Sequence, residues 1–299
     1  MGDLHRSGEK AAYRPRRSVL YMPASNERAL AKARSLPVDG LILDLEDAVA
    51  PDAKEQARDN ACTAARSGDY GRREVTIRIN GSGTRWHEDD LRAVCAAGPD
   101  AVVVPKVESA DEVRRLVAAM ESAGAPAHTE LWAMVETPRA MLHSEEIAAA
   151  SDRLTVLVMG TNDLAKELRA EHVPGRQPLL AGLGLCLLAA RATGKAILDG
   201  VYNDVRDAEG FADECRQGRE LGFDGKTLVH PGQVESCNEV FAPSAEAVEE
   251  ARGLLDAWEA GAGAGVVVHA GKMVEALHVD IARRVLAVHE AISGAASDG

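Results

Sequence analysis

The sequence lacks several features that would place it outside a reducing, soluble compartment. It has no run of about 18 or more apolar residues, so we expect no membrane-spanning helix. The stretch MGDLHRSGEKAAYRPRR (1–17) contains no apolar segment of a secretory signal, and we predict a disordered leader over 1–15. The 5 cysteines are far apart without a CxxC pair, so neither a disulfide framework nor a zinc site is predicted. These absences favour a cytoplasmic location.

A surplus of positive charge is also absent. The formal net charge is −13, which argues against a general binder of nucleic acid or of anionic membranes. One basic cluster near the N-terminus departs from this balance and is opposed locally only by Glu27. Its members are Arg14, Arg16, Arg17, Arg28, Lys32 and Arg34. Such a cluster suits either a small polyanion, such as a nucleotide phosphate, or a solvated helix face.

What the sequence does contain is a repeat of short apolar runs, each followed by a helix-like stretch. The runs are continuous rather than alternating, which is typical of parallel strands buried on both faces. They lie at 18–24, 40–47, 74–80, 101–107, 131–137, 154–160, 196–201 and 226–231. This number of strand–helix units predicts an α/β fold, a (β/α)₈ TIM barrel, over 16–243.

A doubly wound sheet is the alternative fold. It usually has a glycine-rich turn after the first strand, whereas MPASNERA (22–29) has no glycine. The tail adds a helix over 244–265 that ends in a glycine-rich turn, then a short strand, a turn and a final helix over 266–292. A barrel is closed without this helical extension. We therefore expect the extension, 244–299, to pack on a barrel mouth, on a neighbouring subunit, or on both.

Polar residues recur where the predicted strands end. In a TIM barrel these positions face the mouth in which active sites are built, although any single one also fits a solvated rim. They are Glu46, Asp47, Arg78, Asn80, Lys106, Glu136, Thr161 to Asp163, Asn203, Asp204 and His230. His230 fits either a contact to CoA or substrate or a packed core histidine. Lys106 fits an ion pair with Glu108 or Glu136, or a contact to substrate, and the structural ion pair is the preferred interpretation.

Glu136 and Asp163 are the most specific members of this set. They follow adjacent strands, so their carboxylates can converge, and Mg²⁺ is usually held by one or two carboxylates together with water and substrate oxygens. Arg78 fits a bidentate clamp for a substrate carboxylate. A metal with such a clamp predicts a small oxo-acid substrate whose developing negative charge the metal would stabilise.

Several motifs together resemble one family. They are RSVLYMPASNERALAKA, LILDLEDAVAPDAKEQAR, IRING, VPKVES, VETPRAML and GTNDLAKEL. Over about 16–292 the chain resembles the HpcH/HpaI aldolase and citrate-lyase β-subunit-like superfamily, and within it the CoA-ester lyases that act on malyl-CoA, β-methylmalyl-CoA or citramalyl-CoA.

The resemblance implies a TIM barrel with a C-terminal extension, and Mg²⁺ held by Glu136 and Asp163. It implies that Arg78 binds the substrate carboxylate and that Glu46 and Asp47 form a second acidic layer. The positions that it assigns to CoA are Tyr21, Arg28 and Lys32.

One position departs from the lyase pattern. Lyases of this family carry an aspartate in a GKMID-like turn that enters a neighbouring subunit's site, whereas this chain reads AGKMVEALH with Glu275 there. The resemblance is also close to a branch that shares this glutamate and includes (3S)-malyl-CoA thioesterases. The resemblance implies that Glu275 is catalytic and moves the proton or activates water in a neighbouring subunit's site; an exposed turn residue without a role is the alternative.

The preferred prediction is a Mg²⁺-dependent lyase that releases acetyl-CoA or propionyl-CoA and a 2-oxo acid. Alternatives are a (3S)-malyl-CoA thioesterase, a citrate-lyase-like subunit acting on a carrier-protein acyl group, and a non-catalytic CoA-ester sensor. The resemblance further implies a homo-oligomer, a trimer or a hexamer of two trimers.

Overall fold

A computed structural model describes residues 13–261 and 265–297, so most of the predicted leader lies outside the described residues. The chain divides into a unit from Arg16 to Phe241 and a unit that contains Ala242–Gly299. Within the described residues, none of the helices has the length and apolar character needed to cross a bilayer.

The larger unit is a closed barrel of eight parallel strands in chain order, with the last strand paired to the first. The strands are β1 (Ser18–Pro23), β2 (Gly40–Asp44), β3 (Glu74–Arg78), β4 (Ala101–Val104), β5 (Glu130–Val135), β6 (Leu154–Met159), β7 (Ala196–Asp199) and β8 (Gly225–Leu228). Each predicted apolar run contains one of them. The TIM-barrel prediction is therefore confirmed, and the doubly wound alternative is wrong because the sheet closes on itself.

Helices follow the strands and cover the outside of the barrel. They are α1 (Glu27–Ala33), α2 (Lys54–Ser67), α3 (His87–Ala97), α4 (Ala110–Ser122), α5 (Pro138–Leu142), α6 (Ser144–Ala149), α7 (Thr161–Leu168), α8 (Leu180–Thr193), α9 (Ala208–Leu221) and α10 (Val234–Phe241). Short 3₁₀ segments lie at Pro51–Ala53, Pro174–Leu179 and Pro231–Gln233.

Burial explains why the strands read as continuous apolar runs. One set of strand side chains, among them Val19, Ile42 and Trp132, fills the barrel, while alternate residues such as Leu20 and Leu41 pack in a separate cluster with the helices. Both faces of each strand are therefore dry, and apolar residues are favoured at every position.

The extension contains α11 (Ala245–Ala260), β9 (Val267–His269), β10 (Lys272–Val274) and α12 (Ala276–Ser297). The sequence predicts one strand here, whereas the structure has an antiparallel hairpin of two. The turn between them is Ala270–Gly271, with φ of 47° and 76° respectively. Positive φ at both central residues is the geometry of the tight turns that match the twist of paired strands.

Candidate active site

Asp44 is the first acid of the LDLEDA segment and the last residue of β2. It is fully buried and faces the barrel interior, on the same side of the strand as Ile42. Its carboxylate accepts bonds from Arg78 Nε at 2.6 Å and Nη2 at 2.7 Å, and from the N–H groups of Glu46 and Ala48. Every lone pair direction is used, so the buried charge is compensated. Asp44 is not among the predicted site residues, although its even spacing from Ile42 indicates an inward side chain.

Arg78 is more fully engaged than the sequence suggests. Its third nitrogen, Nη1, lies 2.8 Å from Glu46 and 3.7 Å from Asp47, and its guanidinium stacks 4.9 Å from the Tyr21 ring centroid. The bidentate edge expected to clamp a substrate carboxylate is therefore held by Asp44. Arg78 has only Nη1 to offer a substrate unless Asp44 gives up its contact.

Glu46 and Asp47 have different surroundings, although they are adjacent in sequence. Asp47 is exposed, whereas the Glu46 side chain is largely buried against Arg78. Burial raises the pKa of Glu46 to about 7; the charges of Asp47 and Asp44 add to this rise, and Arg78 opposes it. Of the two predicted residues, Glu46 is the one that shares the interior acid cluster.

Glu136 follows β5 and is only 2% exposed. Its Oε1 accepts a bond from the backbone N–H of Lys106 at 2.8 Å. Gly160, directly after β6, packs so closely on it that a Cβ there would lie 2.1 Å from Glu136 Oε2. Burial, followed by the charges of Asp163 and Glu46, raises the pKa of Glu136 to about 7. The carboxylate is thus fixed in place and surrounded by like charge.

Asp163 lies in the first turn of α7, which begins immediately after Gly160. Its Oδ1 is 3.5 Å from the ammonium of Lys106. The structure therefore brings both predicted metal-ligating acids into contact with one lysine, through its backbone at Glu136 and through its side chain at Asp163. The ammonium of Lys106 forms an ion pair, as the sequence predicts, but its partner is Asp163 and not Glu108 or Glu136.

The donor set fits a hard divalent cation. Within the described residues no group of three or more histidine, cysteine, aspartate or glutamate side chains forms a metal site, so a site rich in protein ligands is not supported. The charge of Asp163 helps to raise the pKa of Glu136, and two carboxylates this close match the way Mg²⁺ is held, with water and substrate completing the shell. Glu136 and Asp163 are the residues that would hold such an ion.

The three residues assigned to CoA lie in the first βα unit. Tyr21 is half-buried in β1, with its hydroxyl 3.8 Å from Met134 Sδ, and burial raises its pKa. Arg28 and Lys32 are exposed on α1, four residues apart, and neither forms an ion pair within the described part of the chain.

The rest of the predicted basic cluster is dispersed. Arg16 bonds both oxygens of Glu74 at 2.7 Å, Arg17 bonds both oxygens of Asp39 at 2.8 Å, and Arg34 pairs with Asp69 at 3.1 Å. Three of the six members of the predicted cluster are thus engaged in ion pairs, and Arg28 and Lys32 are the candidate phosphate contacts on α1.

Glu275 lies between β10 and the start of α12. Its N–H donates to His278 Nδ1 at 3.1 Å, and its carbonyl accepts from the His278 N–H at 2.9 Å. Its carboxylate is half-buried and makes no hydrogen bond or ion pair among the described residues.

Two other strand-end residues serve local structure. His230 is exposed, and its Nδ1 accepts the Gly232 N–H at 3.0 Å. The Asn80 side chain donates to Asp90 at 2.6 Å. Neither is directed by these contacts toward the acid cluster.

Comparison with known proteins identifies the family. Residues 17–231 match HpcH/HpaI aldolase/citrate lyase. The chain belongs to this family. The resemblance read from the motifs is confirmed at this level, as is the prediction of an enzyme of the citrate lyase beta-like group.

Individual members of the HpcH/HpaI family are similar over nearly the whole chain. A (3S)-malyl-CoA thioesterase of Cereibacter sphaeroides (strain KD131 / KCTC 12085) is 51% identical over 281 residues, covering 93% of this chain and 96% of that protein. Citrate lyase subunit beta of Escherichia coli (strain K12) is 36% identical, covering 91% of this chain and 93% of that protein. The crystal structure of CitE from Mycobacterium tuberculosis in complex with magnesium, acetoacetate and coenzyme A is 31% identical with a TM-score of 0.74, covering 90% of this chain and 96% of that one.

Proposed function

We propose that the chain hydrolyses the thioester of (3S)-malyl-CoA, or of a close methyl relative, to the hydroxy acid and free CoA. The observation that carries this proposal is 51% identity to a (3S)-malyl-CoA thioesterase over 93% of the chain. The motifs alone favour the lyase reaction, with hydrolysis as an alternative. Glu275, which replaces the aspartate typical of the lyases, supports hydrolysis as the first candidate.

Glu136 and Asp163 are proposed to hold Mg²⁺, as the acid pair and the magnesium-bound CitE relative both support. When bound, the ion supplies positive charge that polarises substrate oxygens and stabilises negative charge as it develops. The chain contributes the fixed positions of the two carboxylates, which Lys106 and Gly160 hold through direct contact.

Arg78 and Glu46 are proposed to bind and orient the malyl group. Arg78 is locked by Asp44 and by the Tyr21 ring, so its Nη1 occupies a defined position from which it can donate to a carboxylate. Glu46 accepts from that same Nη1 at 2.8 Å, so a substrate carboxylate arriving there would compete with Glu46. A glutamate whose pKa is about 7 can become protonated and give way at small cost near neutral pH.

Arg28, Lys32 and Tyr21 are proposed to hold CoA. The two cations share one face of α1 because residues four apart lie one above the other, and both are free of competing ion pairs among the described residues. Two exposed cations at this spacing suit a phosphate group of CoA. Tyr21 lies near the end of β1, the strand that precedes α1.

Glu275 is proposed to act in the site of a neighbouring subunit, where its carboxylate would accept a proton from the attacking water. The extension exposes an apolar face around it: Val268 and Met273 face each other across the hairpin, and Leu277 and Ile281 lie four residues apart on α12. All four side chains are more than half exposed. An exposed apolar patch of this kind typically marks an interface, and we propose a homo-oligomer, a trimer or a hexamer of two trimers.

The test is product analysis with (3S)-malyl-CoA and Mg²⁺. We expect free thiol to appear without glyoxylate, and Glu275→Gln to lower this rate. If glyoxylate and acetyl-CoA appear instead, the chain catalyses the lyase reaction rather than hydrolysis. If neither free thiol nor a 2-oxo acid appears with malyl-CoA or with citramalyl-CoA, both the thioesterase and the lyase proposals are wrong.

The lyase reaction is the second candidate, because the family includes citrate lyase and the Escherichia coli citrate lyase subunit beta is 36% identical over 91% of the chain. In this version the hydroxyl would give its proton to a carboxylate of the site, and the C–C bond would break to release a 2-oxo acid and the enolate of acetyl-CoA. Glu275 would then supply a proton to the enolate carbon. Glu275→Asp is the informative variant. It restores the shorter acid of the lyases, and we expect it to raise the ratio of glyoxylate to free thiol.

A further inference from the structure

Lys106 has a backbone conformation that its side chain disfavours. Its φ is 55°, in the left-handed region that non-glycine residues rarely adopt. Lys106 follows β4 and Pro105, and two backbone bonds hold the segment: its own N–H donates to Glu136 Oε1 at 2.8 Å, and the Val107 N–H donates to the Met134 carbonyl at 3.2 Å. A strained residue persists only where its surroundings determine its conformation, and such residues concentrate at functional sites.

The ammonium of Lys106 lies among carboxylates from three other segments. It is 3.5 Å from Asp163 on α7, and Glu46, Glu136 and Asp47 also act on it electrostatically. These nearby carboxylates outweigh the effect of burial and favour the charged form of the ammonium. The side chain is 46% exposed and has room to move away from Asp163.

We propose that Lys106 is a tethered counter-ion for Glu136 and Asp163, which a divalent cation displaces on binding, and that its ammonium thereby sets the affinity of the site for Mg²⁺. Its strained backbone keeps the N–H on Glu136 in both states, while the ammonium leaves Asp163 when the ion arrives. This inference rests on the proposed function, because it takes Glu136 and Asp163 as the metal-holding pair.

This proposal and a purely structural ion pair predict opposite effects of removing Lys106 on the affinity for Mg²⁺. If Lys106 only fastened β4 to α7, its removal would loosen Asp163 and weaken Mg²⁺ binding. If Lys106 competes with the ion, its removal takes away a repelling positive charge and strengthens binding. For a half-exposed ammonium about 6–12 Å from a doubly charged ion, as expected once it has left Asp163, Coulomb repulsion at a water-like dielectric corresponds to about a threefold to tenfold change in affinity.

Titration calorimetry with Mg²⁺ alone, without any CoA ester, distinguishes the two roles. We expect Lys106→Met to bind Mg²⁺ about threefold to tenfold more tightly than the unaltered chain, and Lys106→Arg to stay within about twofold because it keeps the charge. Lys166→Met is the matched control. It removes one positive charge from an exposed position of the same helix as Asp163, and we expect its affinity to change less than about twofold.

The backbone part of the proposal has its own comparison. Lys106→Gly and Lys106→Ala both remove the ammonium, but glycine relieves the positive φ and alanine does not. Both should show the tighter Mg²⁺ binding, and the glycine variant should unfold at the higher temperature.

Equal or weaker Mg²⁺ binding by Lys106→Met would overturn this inference alone. Absence of Mg²⁺ binding by the unaltered chain would overturn the proposed function and the inference with it.

Discussion

Gly160 offers a sharp test of the site, because substitution by alanine introduces one carbon and nothing else. The residue has φ of −100° and ψ of 75°, so alanine meets no backbone penalty from a positive φ. Its Cβ would lie 2.1 Å from Glu136 Oε2, 2.3 Å from Glu136 Cβ and 2.9 Å from Glu136 Cδ. Ordinary carbon contacts lie at about 3.5–4.0 Å. The collision includes the Cβ of Glu136, so rotating the carboxylate cannot relieve it, and β5 and α7 must move apart.

The size of the effect follows from that separation. Forcing a methyl group into a packed site costs typically about 1–3 kcal/mol of unfolding free energy. A displacement of about 1 Å at a catalytic centre costs about 10²-fold in rate. We therefore expect Gly160→Ala to lower Mg²⁺ affinity and to reduce turnover of (3S)-malyl-CoA about 100-fold, while the protein remains folded.

The control is Gly184→Ala. Gly184 lies within α8, and apart from its chain neighbours and its own helix backbone no atom of the described residues lies within 4 Å of the Cβ that alanine would add. Alanine is the better helix former by about 1 kcal/mol, so this variant should be equally active and slightly more stable. Urea unfolding, Mg²⁺ titration and turnover should be measured on both variants. Turnover and Mg²⁺ affinity within threefold of the unaltered chain for Gly160→Ala would refute the assignment of Glu136 as a metal-holding residue.

Three further outcomes follow from the same contacts. Lys226→Met removes a buried ammonium 3.0 Å from Asp199 and should lower the free energy of unfolding in urea by about 3 kcal/mol. The control Arg216→Met, on the surface, should change it by less than about 0.5 kcal/mol. Equal losses of unfolding free energy in the two variants would contradict the prediction. Burial would raise the pKa of Asp199, but Lys226 and Arg176 hold it below its ordinary value, so its stabilisation is present above about pH 4 and is lost as the pH falls through the folded-state pKa. Lys226→Met should accordingly unfold at a higher pH in an acid titration monitored by circular dichroism. Treatment with EDTA should abolish turnover and added Mg²⁺ should restore it; activity that survives chelation would argue against the metal assignment.

The eight barrel strands were predictable because burial on both faces imposes a signal at every strand residue. The hairpin of the extension was not. Its strands Val267–His269 and Lys272–Val274 have three residues each, too short for a pattern, and their turn is Ala270–Gly271 rather than the asparagine–glycine pair that marks such turns. Short elements whose geometry depends on one turn leave little trace in the sequence.

Within the site, the acids were predictable and their partners were not. Polar residues at strand ends identify the mouth, which is how Glu136 and Asp163 were selected. The partner of Arg78 depends on register across two strands, and the structure places Asp44 directly opposite Arg78. Both side chains point inward and meet. Arg78, which the sequence predicts to bind a substrate carboxylate, therefore binds the carboxylate of Asp44. Register between strands 34 residues apart is set by the whole barrel and not by either segment.

The dispersal of the basic cluster shows how a barrel separates stability from function. Arg16 and Arg28 are close in sequence, but β1 runs between them, and its six residues span about 20 Å. Arg16 is therefore at the amino-terminal end of the strands, where it stacks 5.3 Å from the Trp132 ring and bonds Glu74. Arg28 is near the carboxyl-terminal end, where active sites of this fold are built. Arg16 and Arg28 belong to one cluster in the sequence because only 11 residues (17–27) separate them. In the structure they lie toward opposite ends of the barrel, and only the carboxyl-terminal end is where active sites of this fold are built.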